Sequence, residues 1–388
     1  MKFKRLLCLL LPAMLLGCLA ACGESTPDAD TQPPSQTDPA DKTEQPSAPE
    51  YIEGLEVITK EDMQKFDESV VRLFGRTYKS GKQLVFDNAG TGAEFTFYGT
   101  EFEAKIISSG DLLLARVFVD GEETGSLMEF RRGFRKFDYL AQDLTEGVHT
   151  VKIIKATSSQ NGVLSLSEIR TNGKLLRPKQ KTPLKIEFVG DSITVGAGVF
   201  APASQDPTIE NSDATKGYAY LTAEALGADC SLVATEGICT KVKWVLPVSM
   251  CDMYLSKSSV TTAAYDFPET AQDVIVVALG TNDSYYMGTD ASYTSDAFSA
   301  DYKELITLVR SKNATAKIVC IYGMMGTHAP VAQGIQKAIA DLDDANVSYF
   351  AMPAGTDGAG SHPSAQNAVA QSAALTAYLK ELLGTLSF

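Results

Sequence analysis

The chain has 388 residues, length for about two domains, and a hydrophobic share of 44% that can fill a sizeable core. Its formal net charge is -14, and no basic run follows the first residues. That balance argues against nucleic acid and against electrostatic membrane binding, and suits a neutral partner such as a polysaccharide.

The chain starts with a targeting pattern. Lys2, Lys4 and Arg5 precede an almost wholly apolar run over 6–21, too short and too near the terminus for an ordinary spanning helix. The run ends Leu19-Ala20-Ala21-Cys22, which resembles a bacterial lipobox. In signals of that kind the cysteine is lipidated and becomes the new N-terminus. Residues 1–22 therefore read as a lipoprotein signal, with plain secretion after cleavage near Ala21 as the other reading. Acyl chains on Cys22 would suffice for stable anchoring. Residues 23–50 are rich in Pro, Ser, Thr, Asp, Glu and Gln and hold no aromatic, so 23–52 is expected to be a disordered tether.

Residues 53–178 read as β. Strands are expected at 83–86, 93–98, 102–107, 112–119, 134–139, 149–155 and 162–169, several of them alternating apolar and polar residues. Asp120-Gly121 and Asn172-Gly173 supply turns. Many short strands with turns between them predict a sandwich. No catalytic set stands out there. Arg72, Arg76 and the cluster Arg131, Arg132, Arg135 read as surface or interface charges, and His149 as structural.

From 184 to 388 strands and helices alternate. Strands are expected at 185–189, 230–234, 274–279, 317–322 and 347–351, and the unbroken apolar run 274–279 suits a strand covered on both faces. Phe298, Tyr302, Leu305, Ile306 and Val309 recur at helical spacing. A last helix starts near Pro363-Ser364 and runs to Leu383, with Gly384 as its C-cap. This pattern predicts a doubly wound α/β domain with a mostly parallel sheet, whose sites form at the carboxyl ends of the strands. Cys230, Cys239, Cys251 and Cys320 show no metal spacing and read as buried free thiols, with a disulfide as the alternative.

Three blocks in this half carry chemistry: Gly190-Asp191-Ser192-Ile193-Thr194, Gly280-Thr281-Asn282-Asp283 and His362-Pro363-Ser364. Ser192 lies just past a strand end, where a helix is expected to begin, so that its own amide faces the cleft beside its hydroxyl. Asn282 ends the most apolar strand, and its amide can donate to a developing oxyanion without adding charge. His362 lies in a loop before a helix, placed to act as general base. Gly237 follows the second strand, where a glycine lets its N–H approach a ligand. Taken singly, each has a plain structural reading as a cap, a turn or a loop residue. Together and in order they are the parts of a serine hydrolase.

These blocks resemble the SGNH (GDSL-type) hydrolase superfamily, whose serine, glycine, asparagine and histidine match Ser192, Gly237, Asn282 and His362. The β segment, with Leu73-Phe74-Gly75-Arg76 and Val117-Phe118-Val119-Asp120-Gly121, resembles family 2 carbohydrate esterases. Those pair a jelly-roll β-sandwich with an SGNH domain and remove acetyl groups from plant polysaccharides. The wider superfamily has an aspartate three residues before the histidine. Here that position is Ala359, so the resemblance implies a Ser–His dyad, with either a backbone carbonyl or Asp357 orienting the imidazole. Trp244, Tyr285 and Tyr286 are candidates to stack on sugar faces. The resemblance implies no metal and no organic cofactor. The expectation is a monomeric deacetylase of acetylxylan-like or acetylglucomannan-like polysaccharide, lipid-anchored on the extracellular face of a bacterial envelope. Two alternatives stand beside it: an SGNH esterase acting on peptidoglycan O-acetyl, lipid or thioester groups, and a non-catalytic carbohydrate-binding lipoprotein.

Overall fold

The computed structural model describes residues 57–58, 68–178, 183–268 and 272–384. Cys22 and the tether lie outside the described residues.

The first half is a β-sandwich of two antiparallel sheets, with eight and five strands among the described residues. Alternation explains the packing. Val151 and Ile153 face inward while Lys152 between them does not, and they share one core with Phe95 and Phe97 of the paired strand and with Phe102 and Ile106 of the facing sheet. The seven expected strands are all present. The sixth now runs Gly147–Lys155 and the fifth Phe137–Ala141. The fifth was expected to start at Phe134, but Gly133, at φ 88, turns the chain there and leaves Phe134 exposed. Short strands such as Val71–Phe74 and Met128–Phe130 carry too few residues to show a period.

The second half holds a five-stranded parallel sheet. Its spatial order is Asp229–Ala234, Lys185–Gly190, Val274–Ala278, Lys317–Tyr322, Val347–Ala351. In chain order that is 2-1-3-4-5, a doubly wound arrangement. Val274 and Val276 enter one core and Ile275 and Val277 the other, which is why the strand reads as unbroken apolar. The helices Tyr218–Ala225 and Ala365–Leu383 pack together on the first face. Ser295–Lys312 pairs with Ala329–Leu342 on the second. The final helix carries a Ser364 capping box and ends at Gly384. The four cysteines are free, and three of them are buried.

The two halves are joined by buried charge. Arg76 leaves the sandwich and lays its guanidinium on Glu187 of the first parallel strand, at 3.0 and 3.1 Å, under the rings of Tyr254, Tyr265 and Phe267. Arg116 reaches Asp213 at 2.8 Å. Arg72 and Arg76 are thus interface charges, whereas Arg131, Arg132 and Arg135 are exposed.

Candidate active site

Strand order decides where the site forms. The strand Lys185–Gly190 lies between Asp229–Ala234 and Val274–Ala278, so the loops after these three strands open at the same switch point. Ser192 follows the middle strand, Gly237 the outer one and Asn282 the third. Glycine at 190 is required by close packing: a Cβ there would lie 2.0 Å from Thr194 Oγ1.

The helix expected after Ser192 does not form. Residues 191–199 make a run of turns, with the Asp191 carbonyl accepting from Thr194 and Val195 and the Ser192 carbonyl from Ala197. Gly196 and Gly198, at φ 68 and 67, are left-handed and break any helical continuation. That irregular segment is the bed for the histidine loop. The Ala359 amide donates to Gly198 at 3.0 Å, Gly360 to Gln205 at 2.7 Å and Ala365 to Val199 at 2.9 Å.

The result is a close pair. His362 Nε2 lies 2.8 Å from Ser192 Oγ, and His362 Nδ1 lies 2.9 Å from the carbonyl oxygen of Ala359. A carbonyl only accepts, so Nδ1 carries the proton and Nε2 turns its lone pair to the serine hydroxyl. Asp357 is not the orienting group. Its carboxylate accepts from the Ser364 amide at 3.3 Å, while the imidazole is already held by main chain. Ala359 is fully buried with its methyl against Gly198, and its carbonyl is the backbone group that orients the imidazole.

Asn282 is the second residue of the helix Thr281–Thr289. Its Nδ2 donates to the Ile238 carbonyl at 3.0 Å, which uses one of its two N–H groups. Gly237 sits at φ 75, a left-handed turn that a side chain would strain. Ser192, Gly237, Asn282 and His362 line one cavity of 570 Å³.

Residues 188–377 match the GDSL-like lipase/acylhydrolase family, and residues 73–178 match the carbohydrate esterase 2 N-terminal family. The chain thus carries a GDSL-like acylhydrolase domain preceded by a carbohydrate esterase 2 N-terminal domain. It is 30% identical over 311 residues to the cellulase/esterase CelE of Acetivibrio thermocellus, an alignment covering 76% of this chain and 37% of that protein. It is 28% identical to an acetylxylan esterase / glucomannan deacetylase of Cellvibrio japonicus, covering 53% of this chain and 61% of that one. The chain thus spans less than two thirds of the length of each of these relatives. Among solved structures, a family two carbohydrate esterase from Clostridium thermocellum in complex with cellohexaose superposes with a TM-score of 0.74. The two are 27% identical, over 81% of this chain and all of that one.

Electrostatics suit a neutral imidazole. Burial pushes the His362 pKa below its ordinary 6.5, against the upward pull of the Ala359 carbonyl and of Glu236. Asp283, the last residue of the Asn282 block, is fully buried. Its carboxylate accepts from the Thr240 amide at 3.1 and 3.2 Å and from the Tyr293 hydroxyl at 3.2 Å, so it ties down the segment beyond Gly237.

The three aromatic candidates separate. Tyr285 lines the cavity and is 56% exposed, free to meet a ligand. Tyr286, one residue along the helix and so about 100° around it, points elsewhere. Its ring packs on Tyr293 at 5.0 Å and on Trp244 at 6.2 Å, and its hydroxyl donates to Asp290. Neither Trp244 nor Tyr286 lines the cavity, a correction to the sequence reading.

The sequence also missed one wall. Thr157, Ser158 and Asn161 of the sandwich line the same cavity, as does Glu236. No motif marks them, because their place depends on how the two halves dock.

Proposed function

We propose that this chain is a carbohydrate esterase that removes O-acetyl groups from polysaccharide through an acyl-enzyme on Ser192. The observation that carries the reading is the 2.8 Å contact of His362 Nε2 with Ser192 Oγ, in a cavity shared with Gly237 and Asn282. Ser192 attacks the ester carbonyl while His362 takes its proton. The oxyanion is met by the N–H groups of Ser192 and Gly237 and by the free N–H of Asn282. His362 then gives the proton to the leaving sugar hydroxyl, and activates water against the acyl-enzyme. The Ala359 carbonyl keeps the imidazole in the working tautomer, so a Ser–His dyad is sufficient. No metal or organic cofactor enters these steps.

The names of the relatives support acetylxylan and acetylglucomannan as first substrates, and Tyr285 at the cavity rim offers a face for a sugar ring. We place the protein on the extracellular face of a bacterial envelope, as a monomer held by lipid on Cys22. The test is acetate release from acetylated xylan and acetylated glucomannan. Release by the purified protein, falling by roughly three orders of magnitude or more in Ser192→Ala, is the expected outcome. Cleavage of a small aryl acetate without release from either polysaccharide would redirect the reading to another acyl ester.

A further inference from the structure

The turn that carries the Gly237 amide is gripped by the other half of the molecule. It lies just past the strand Asp229–Ala234, at the half-buried rim of the cavity. Gln160, from the sandwich, sends its side-chain amide across. Nε2 donates to the Thr235 hydroxyl at 2.8 Å and to the Glu236 carbonyl oxygen at 2.8 Å. Beside it, Ser158 donates its hydroxyl to the Glu236 carboxylate at 2.5 Å.

The contact with the Glu236 carbonyl has a consequence fixed by covalent geometry. That oxygen belongs to the same peptide unit as the Gly237 N–H. In a planar trans peptide the C=O and N–H point to opposite sides, so holding the oxygen from one side aims the hydrogen to the other. A hydrogen bond accepted by the carbonyl also polarises the unit and strengthens its N–H as a donor. Glycine at φ 75 has no Cβ to restrict this plane by itself, so an outside anchor matters more here than at an ordinary residue.

The anchor itself is stiff. Lys155 is fully buried, and its ammonium donates to the carbonyls of Asp87, Thr157 and Ser158 at 2.7, 2.8 and 2.9 Å. All three protons are thereby used. Ser158 caps the short 3₁₀ turn Ser159–Asn161, and Ser159 shares a 2.6 Å hydrogen bond with Ser259 across the seam. Gln160 is the exposed residue on this fixed base.

We infer that the sandwich loop 157–161 is a positioning element of the acyl-transfer site, with Gln160 orienting the Gly237 peptide so that its N–H meets the oxyanion. The inference rests on the esterase reading above, and gives the β-sandwich a part in the chemical step.

The experiment measures kcat and KM for 4-nitrophenyl acetate in the full chain and in Gln160→Ala and Gln160→Met, with thermal unfolding in parallel. Methionine keeps the length and packing of glutamine without its donor. A small aryl ester reaches Ser192 without needing glycan contacts at the loop. The expected result is a kcat lower by about tenfold in both variants, a fraction of what complete loss of an oxyanion donor costs. KM should stay within about twofold and the unfolding midpoint should hold, as for a contact made only in the transition state. Two results would overturn the inference while leaving the esterase reading intact. One is unchanged kcat on the aryl ester with a raised KM on acetylated xylan, which makes the loop a glycan contact only. The other is a kcat loss that follows a lowered unfolding midpoint, which makes Gln160 merely structural. Wild-type protein that cleaves no aryl or glycan acetate would remove the esterase reading, and the inference with it.

Discussion

Among the described residues, Glu236 is the carboxylate of the cavity wall whose charge reaches the His362 imidazole. Burial lowers the histidine pKa, and the negative charge holds part of that fall back. The acid limb of activity should therefore lie below pH 6.5, because only the neutral imidazole takes the serine proton. In Glu236→Gln the imidazolium loses its stabilising neighbour, so the limb should move further down. A pH profile of kcat/KM on an aryl acetate checks both, and an upward move would refute the assignment. Ser192, Asn282 and His362 were legible because each sits at a strand or helix end within a short motif. Between the two orienting groups that the sequence left open, a backbone carbonyl and Asp357, the structure selects the carbonyl. Proximity in sequence to His362 says nothing about which group meets Nδ1, and the left-handed Gly360 and Ser361 bring a carbonyl there instead.

Among the elements, the central strand Val274–Ala278 was the easiest to read, since burial on both faces leaves an unbroken apolar run. The segment after Ser192 was misread, as a strand end followed by polar residues resembles a helix start when two downstream glycines are left out. The seam between sandwich and α/β domain was barely legible at all. Arg76 reads from the sequence only as a surface or interface charge, and its side chain is fully buried on Glu187. Such a pair contributes little against apolar replacements of both partners, but removing one partner strands the other. Arg76→Met should cost about 3–5 kcal/mol in stability. Replacing Glu187 with Gln in the same background should recover part of it. Urea unfolding of the single and double variants measures this, and equal losses in both would mean that charge is not the cause.

At the scale of the whole molecule, two buried acids sit beneath the site in a chain of net charge -14. Burial raises Asp191 to about 7, with Asp283 adding to it, and burial raises Asp283 to about 6. Oδ1 of Asp191 accepts from the Ile193 amide at 3.0 Å, while Oδ2 has no hydrogen-bond partner among the described residues. In the unfolded chain both ionise near pH 4, so between about 4 and 7 the folded state binds more protons. Their contribution to stability is complete below that window and is lost as pH rises through it. Asp191→Asn mimics the protonated acid. Its unfolding midpoint should gain on wild type from pH 5 to about pH 7 and level off above that, and a constant offset would show that Asp191 does not titrate there. Local sequence was enough to recover the two halves, the longer strands and the motifs of the candidate site, because periodicity and turn chemistry act over a few neighbouring residues. The carbonyl that holds His362, the sandwich loop in the cavity wall and the depth of Arg76, Lys155 and Asp191 came only with the folded chain. The loop and Arg76 depend on docking of the two halves, Lys155 and Asp191 on packing within their own halves, and the carbonyl on the left-handed turn at Gly360 and Ser361.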